Sequence, residues 1–328
     1  MNSPATDQPR VVFENLHPSL GDGTASILSG LQSTPKTLNP MWFYDQRGSE
    51  LFDAITRLPE YYPTRTERRI LESRADEIAA ACPPNCLLLE PGSGSSEKVR
   101  LLLNAIDPEI YVPVDISADF LKGAAFALGD EFPQLRIHAV CADFSAGWEF
   151  LDKLPDHPRV AFYPGSTIGN LEPARAGEFL RGLRDVVGPE VGAKGGVIIG
   201  VDAHKDTARL NAAYNDSAGV TAQFNLNALR RINAMLGADF DESRFEHRAF
   251  YNEELRRIEM HLVSLGEQVV QCAGESIAFN DGESIHTENS YKYSLEDFTK
   301  LAEDSGLRVA QSWFDDERLF GVHYLAVD

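Results

Sequence analysis

Leu87-Leu88-Leu89-Glu90-Pro91-Gly92-Ser93-Gly94-Ser95-Ser96-Glu97-Lys98 is the stretch that decides the fold. An apolar run feeds a Gly-x-Gly turn, and the turn feeds a helix start. Glycines let a backbone approach a ligand closely, and free N–H groups at a helix N-terminus receive negative groups. A Gly-x-Gly turn says little alone; the strand before it and the helix after it supply the context the motif needs. The third glycine of the dinucleotide fingerprint is missing, because Glu97 stands there. A carboxylate at that point disfavours a pyrophosphate and suits a ligand with cationic groups.

Outward from this stretch the pattern alternates. Apolar strands are expected at 86–90, 110–115, 136–141, 159–163 and 195–201, with helical spacing at 97–105, 117–128 and 173–186 between them. Strands that alternate with helices pair in parallel through right-handed crossovers. Upstream, Thr64 followed by Glu67 reads as a capping box opening a helix to about Ala81. Downstream, 203–235 reads as helical and 245–280 as antiparallel strands. Ser294 with Asp297 caps a helix, followed by strands at 307–313 and 319–327. The expected fold is α/β: a doubly wound Rossmann-like sheet ending in an antiparallel hairpin, with a second, smaller α+β domain. This arrangement resembles the class I S-adenosylmethionine-dependent methyltransferases. The expected division is a disordered tail at 1–12, a cofactor domain at 65–202 plus 290–328, and a substrate domain at 13–64 plus 203–289.

Composition narrows the function classes. The chain has 328 residues, about two domains' worth at roughly 150 each, and is 43% hydrophobic and 24% charged. Its net charge of −20 repels phosphate backbones and anionic headgroups, which disfavours nucleic-acid and membrane partners. No apolar run approaches the ~20 residues of a membrane span, and no signal-peptide pattern is visible, so the cytoplasm is expected. Cys82, Cys86, Cys141 and Cys272 form neither a disulfide framework nor a zinc pattern, and the eight histidines are scattered singly. No metal is expected.

Strand ends carry the candidate chemistry. Asp115 closes the second strand of the alternation, where a carboxylate accepts ribose hydroxyls. Asp143-Phe144 closes the third, where the pair suits an adenine amino group and ring face. The fourth ends in Gly165-Ser166-Thr167-Ile168-Gly169-Asn170, next to the glycine turn across the switch point, so this loop should face the reacting end of the cofactor. Asn170 offers donor and acceptor to an amino-acid carboxylate or amine; it could equally cap the following helix.

Tyr44, the run Arg57-Leu58-Pro59-Glu60-Tyr61-Tyr62-Pro63-Thr64, residues 90–98, residues 165–170, Tyr214-Asn215-Asp216 and Thr287-Glu288-Asn289-Ser290-Tyr291-Lys292-Tyr293 resemble the L-histidine Nα-methyltransferases of ergothioneine biosynthesis. The resemblance runs from about residue 38 to the end. It implies S-adenosylmethionine at Tyr44, Gly92, Ser93, Gly94, Lys98, Asp115, Asp143 and Phe144, with S-adenosylhomocysteine as the product. It implies that Asn170 and Tyr214 hold the substrate carboxylate, that Tyr61, Glu288 and Ser290 read the imidazole, and that Met260 lines the pocket. Gly165 and Thr167 complete the substrate set. Tyr44, Tyr61 and Asn170 are the candidates at the reacting centre; Tyr44, Tyr61 or water could relay the proton. The implied reaction is trimethylation of the α-amino group of free L-histidine; apart from that substrate no partner is expected, and the protein is expected to be a monomer. The alternatives are another amino acid or small peptide as substrate, or a non-catalytic adenosine-ligand sensor.

Overall fold

A computed structural model describes residues 10–16, 23–143, 147–188 and 195–327. Its main body is an eight-stranded sheet built from β1 (Val11–Asn15), β3 (Leu87–Pro91), β4 (Ile110–Asp115), β5 (Arg136–Cys141), β6 (Arg159–Tyr163), β7 (Gly196–Asp202), β13 (Leu307–Phe314) and β14 (Phe320–Val327). The strand order is β1-β5-β4-β3-β6-β7-β14-β13. All pairings are parallel up to β7; β14 then runs antiparallel to both β7 and β13. The expected hairpin ending is therefore present, with the last strand inserted between β7 and β13.

The period-2 alternation of β3 divides the core. Leu87 and Leu89 face α6 (Pro173–Val187) and α9 (Leu295–Glu303), while Leu88 faces α3 (Tyr62–Ala81), α4 (Arg100–Ile106) and α5 (Ala118–Glu131). All three leucines are 0% exposed. Sealing both faces is what a parallel sheet requires, and each fully buried side chain contributes roughly 1.5–3 kcal/mol. β3 is flanked by β4 on one side and β6 on the other. The strand order reverses there, the point in such sheets where ligands bind beyond the carboxyl ends of the strands.

A second, four-stranded sheet has the order β2-β12-β9-β8, from β2 (Lys36–Thr37), β8 (Phe245–Asn252), β9 (Arg257–Ser264) and β12 (Ser284–Tyr291). The hairpin of β10 (Gln268–Cys272) and β11 (Glu275–Phe279), with α1 (Thr24–Gln32) and α8 (Val220–Leu236), closes its core. A further apolar cluster joins α2 (Gln46–Thr56), α7 (Thr207–Tyr214), α8 and Met260 of β9.

Three details depart from expectation. Val11 and Val12, placed in a tail, are strand residues paired with Ile137 and His138, and β1 joins the large sheet rather than the smaller unit; residues 1–9 lie outside the described residues. The division expected at 289/290 falls inside β12. Thr64 does not cap α3, which begins at Tyr62 after Tyr61 with no side-chain cap.

Candidate active site

The glycine turn forms because β3 stops against a backbone that only glycine adopts easily: Gly92 has φ +67° and Gly94 φ +52°. Gly92 and Ser93 donate their N–H groups to the Val114 carbonyl, and Gly94 donates to Asp115 Oδ2 at 3.0 Å. Asp115 also accepts from the Ser117 N–H at 2.9 Å, and burial pushes its carboxyl above the usual aspartate range. A Cβ on Gly94 would meet nothing within 4 Å, so the turn borders open space. The Ser93 hydroxyl is buried without a partner among the described residues. An open cradle, an unsatisfied hydroxyl and an acidic tip fit the sugar and cationic end of S-adenosylmethionine. Asp143 lies part-buried just past β5, beside the Ala142 N–H that donates to the Asp115 carbonyl. Phe144 lies outside the described residues.

Lys98 and Gly165 meet on a residue that the sequence reading assigned elsewhere. Glu67, 1% exposed on α3, receives the Lys98 ammonium at 2.6 Å and the Gly165 N–H at 2.8 Å. One carboxylate thus joins the helix after the glycine turn to the loop after β6. In that loop, Ser166 (φ +56°) accepts the Asp202 N–H on its hydroxyl at 2.9 Å. Thr167 is exposed and donates its hydroxyl to the Pro164 carbonyl, whereas Asn170 is part-accessible at the end of the short 3-10 turn Thr167–Asn170. Asn170 does not cap α6, whose N-cap is Glu172. A Cβ on Gly169 would stand 2.6 Å from the Tyr291 carbonyl, so this turn sits directly against β12.

β12 delivers the other half. Glu288 and Ser290 lie two residues apart, on one face, and Glu288 pairs in register with Met260 of β9 just past a bulge. Glu288 sits deep in the molecule yet keeps accessible area, and among the described residues no hydrogen bond reaches its carboxylate. Burial pushes it up to about 7, against a smaller opposing pull from Lys292. Ser290 accepts or donates at 2.9 Å with the Tyr214 hydroxyl.

Aromatic rings connect the halves. Tyr44 packs edge-on against Phe52 and Phe224, Phe52 against Tyr61, and Tyr61 against Tyr214 at 6.1 Å. Asn227 of α8 holds the Tyr44 loop by donating to Asp45 at 2.9 Å, and Asp45 in turn caps α2. Tyr44 is near enough to feel the charges of both Glu288 and Asp115. Burial holds the Tyr44 and Tyr61 phenols protonated well past the ordinary tyrosine range. Neither is a phenolate base at neutral pH; each can donate or pass a proton.

The structure therefore joins Tyr44, Tyr61 and Tyr214 through ring contacts, Tyr214 to Ser290, Met260 to Glu288, Lys98 to Gly165 through Glu67, and the glycine turn to Asp115, with Asn170 part-accessible on the turn against β12 and Thr167 exposed. Glu67 was missed because its spacing from Thr64 matches a capping box. Glu259, His261 and His286 converge on the outer face of the smaller sheet. There the two imidazoles stack at 4.6 Å with planes 16° apart, so their in-plane lone pairs do not point at one centre, and Arg257 already engages Glu259. Among the described residues, no helix is long and apolar enough to cross a membrane.

A parallel sheet with an antiparallel tail, a glycine turn at its switch point and an acidic strand tip define an S-adenosylmethionine-dependent methyltransferase. Residues 23–327 match the family described as histidine-specific, SAM-dependent methyltransferase, and the chain belongs to it. It is 45% identical over 303 residues to a histidine N-alpha-methyltransferase of Mycolicibacterium smegmatis, covering 90% of this chain and 92% of that one. It is 34% identical to the ergothioneine biosynthesis protein 1 of Neurospora crassa, over 89% of this chain and 33% of that protein. It is 29% identical to a 4-dimethylallyltryptophan N-methyltransferase of Claviceps purpurea, over 88% and 90% respectively.

Proposed function

We propose that the protein transfers methyl groups from S-adenosylmethionine to the α-amino nitrogen of free L-histidine, three times in succession, giving the Nα,Nα,Nα-trimethyl product of ergothioneine biosynthesis. The observation that carries the substrate is Glu288: a deep carboxylate with no donor among the described residues, two residues from a hydroxyl on the same strand face. An imidazole supplies one N–H donor and one acceptor nitrogen, which matches a carboxylate and a hydroxyl. A side chain lacking that N–H would leave Glu288 unpaired, the kind of loss that gives strong discrimination.

S-adenosylmethionine brings an activated methyl on a sulfonium, so the protein's task is position and dryness. Gly94, Ser93 and Asp115 hold the donor's sugar and cationic end; Lys98 keeps the neighbouring loop in place through Glu67. Asn170 and Tyr214 hold the α-carboxylate, which aims the amine at the aromatic wall of Tyr44 and Tyr61. The amine attacks only when neutral, so each round releases one proton, for which the tyrosine hydroxyls offer a path.

The test is mass spectrometry of a reaction containing the protein, S-adenosylmethionine and an equimolar mixture of the twenty amino acids. The expected result is three methyl groups on histidine alone. Methylation of a different amino acid would remove the imidazole-reading role of Glu288 and Ser290, and cofactor binding without product would favour a sensor.

A further inference from the structure

Behind the pocket lies a buried charge cluster that the roles above leave unused. Asp202, 0% exposed at the end of β7, receives the Lys292 ammonium at 2.8 Å and also that of Lys205. The Tyr62 hydroxyl donates to the same carboxylate at 2.7 Å. Lys292 follows β12 directly and is 3% exposed. Its ammonium donates to Ser290 Oγ at 2.8 Å and to the Tyr214 hydroxyl oxygen at 3.2 Å.

This geometry fixes the direction of two protons. An ammonium is donor-only, so Ser290 and Tyr214 must both accept from it. The hydroxyls also bond each other at 2.9 Å, which uses one of their two protons. The remaining proton has no acceptor among the described residues, and when substrate replaces the bond between the hydroxyls both protons turn outward, that of Tyr214 to the carboxylate and that of Ser290 to the ring nitrogen. Charge points the same way. Lys292 shares Asp202 with Lys205, and its positive charge is felt on the pocket side by Glu288. The Lys292 ammonium is bound directly by the two hydroxyls assigned above to the substrate.

We propose that Lys292, seated on Asp202, is a positioning residue of the substrate pocket: it turns the Tyr214–Ser290 hydroxyl pair into a donor toward the substrate and supplies the counter-charge for the substrate α-carboxylate. The inference rests on the histidine reading given above. Lys292 touches no reacting atom; it acts through Tyr214 and Ser290.

The experiment is titration calorimetry on Lys292→Met and the wild type with three probes: L-histidine, histamine (the same ring and amine without the carboxylate) and S-adenosylhomocysteine. Lys292→Met should weaken L-histidine by about tenfold or more, as expected for loss of a charge-assisted bond, and weaken histamine much less. S-adenosylhomocysteine affinity should not change. In turnover the loss should fall mainly on KM, and Tyr214→Phe added to it should cost less than Tyr214→Phe in the wild type, because Lys292 acts in part through that hydroxyl. Lys292→Arg, which keeps charge and donors, should retain the preference for histidine over histamine. Unchanged histidine binding in Lys292→Met, equal losses for histidine and histamine, or a parallel loss of S-adenosylhomocysteine would each overturn the proposal. If Lys292→Met does not fold, Lys292→Gln is measured in its place. A wild type that binds S-adenosylhomocysteine but not histidine would instead overturn the histidine reading.

Discussion

Glu288 and Glu67 show how differently buried carboxylates can be used. Glu67 has every partner it needs within the protein, a lysine and a backbone N–H. Glu288 has none among the described residues, and burial raises it to about 7. Glu288→Ala should therefore weaken L-histidine at least about tenfold while leaving S-adenosylhomocysteine affinity unchanged, since the loss is of a charge-assisted bond in one half of the site. Calorimetry with both ligands checks this, and equal losses would remove Glu288 from substrate recognition. The same residue predicts a pH effect. Its folded value lies above the unfolded one, so the neutral form favours folding; that stability is present below about 4.5 and is lost as pH rises through about 7. Glu288→Gln should then stabilise the ligand-free protein above pH 7 by roughly 1–3 kcal/mol, with the gain vanishing below pH 4.5. Denaturant melts at several pH values read this directly.

The contact between β12 and the 3-10 turn after β6 decides whether the site is assembled. Gly169 allows it, because any side chain there would meet the Tyr291 carbonyl at 2.6 Å. Gly169→Ala should cost about 1–3 kcal/mol by overpacking, and should raise KM for histidine more than for S-adenosylmethionine, because the shift displaces Asn170 from β12. Thermal unfolding and separate KM measurements test both parts. Elements were also where the sequence was most and least informative. The strands from β3 to β7 were legible because each is a short apolar run between turn residues, and the acidic tip of β4 follows from that spacing. β12 was legible as a motif but not as a surface, since the bulge between His286 and Glu288 sets which residues face the pocket. Glu67 was misread because its real partners are 31 and 98 residues away, beyond the reach of a four-residue capping pattern. β1 was missed because a strand of 5 residues beside a polar terminus has little periodicity to show. The Asp202–Lys292 pair could not be read at all, because nothing local relates the end of β7 to the end of β12.

At the scale of the molecule, the two sheets have separate apolar cores, and β12 of the smaller sheet packs on the turn after β6 of the larger. A ligand that touches both should stabilise the folded form by mass action, by about 2.7 kcal/mol at one hundred times its dissociation constant. S-adenosylhomocysteine and L-histidine should each raise the melting temperature, and both together should give a single sharper transition rather than two. Two separated transitions with both ligands bound would mean that the cores unfold independently and that the site does not bridge them. The net charge of −20 acts at this scale too: added salt should change substrate KM little, because Tyr214 and Ser290 are buried and lie out of reach of screening.

The chain of rings from Phe224 through Tyr44, Phe52 and Tyr61 to Tyr214 has a consequence for the number of transfers. Each transfer trades an N–H for a methyl, so a nitrogen gripped by hydrogen bonds would loosen with every round. Ring faces attract a cation whether or not it carries hydrogens, and their carbon edges gain contact as the nitrogen grows bulkier. Such a wall grips the first intermediate no worse than the starting amine. It leaves the stopping point to valence: once the nitrogen carries four carbons it has no lone pair left to offer.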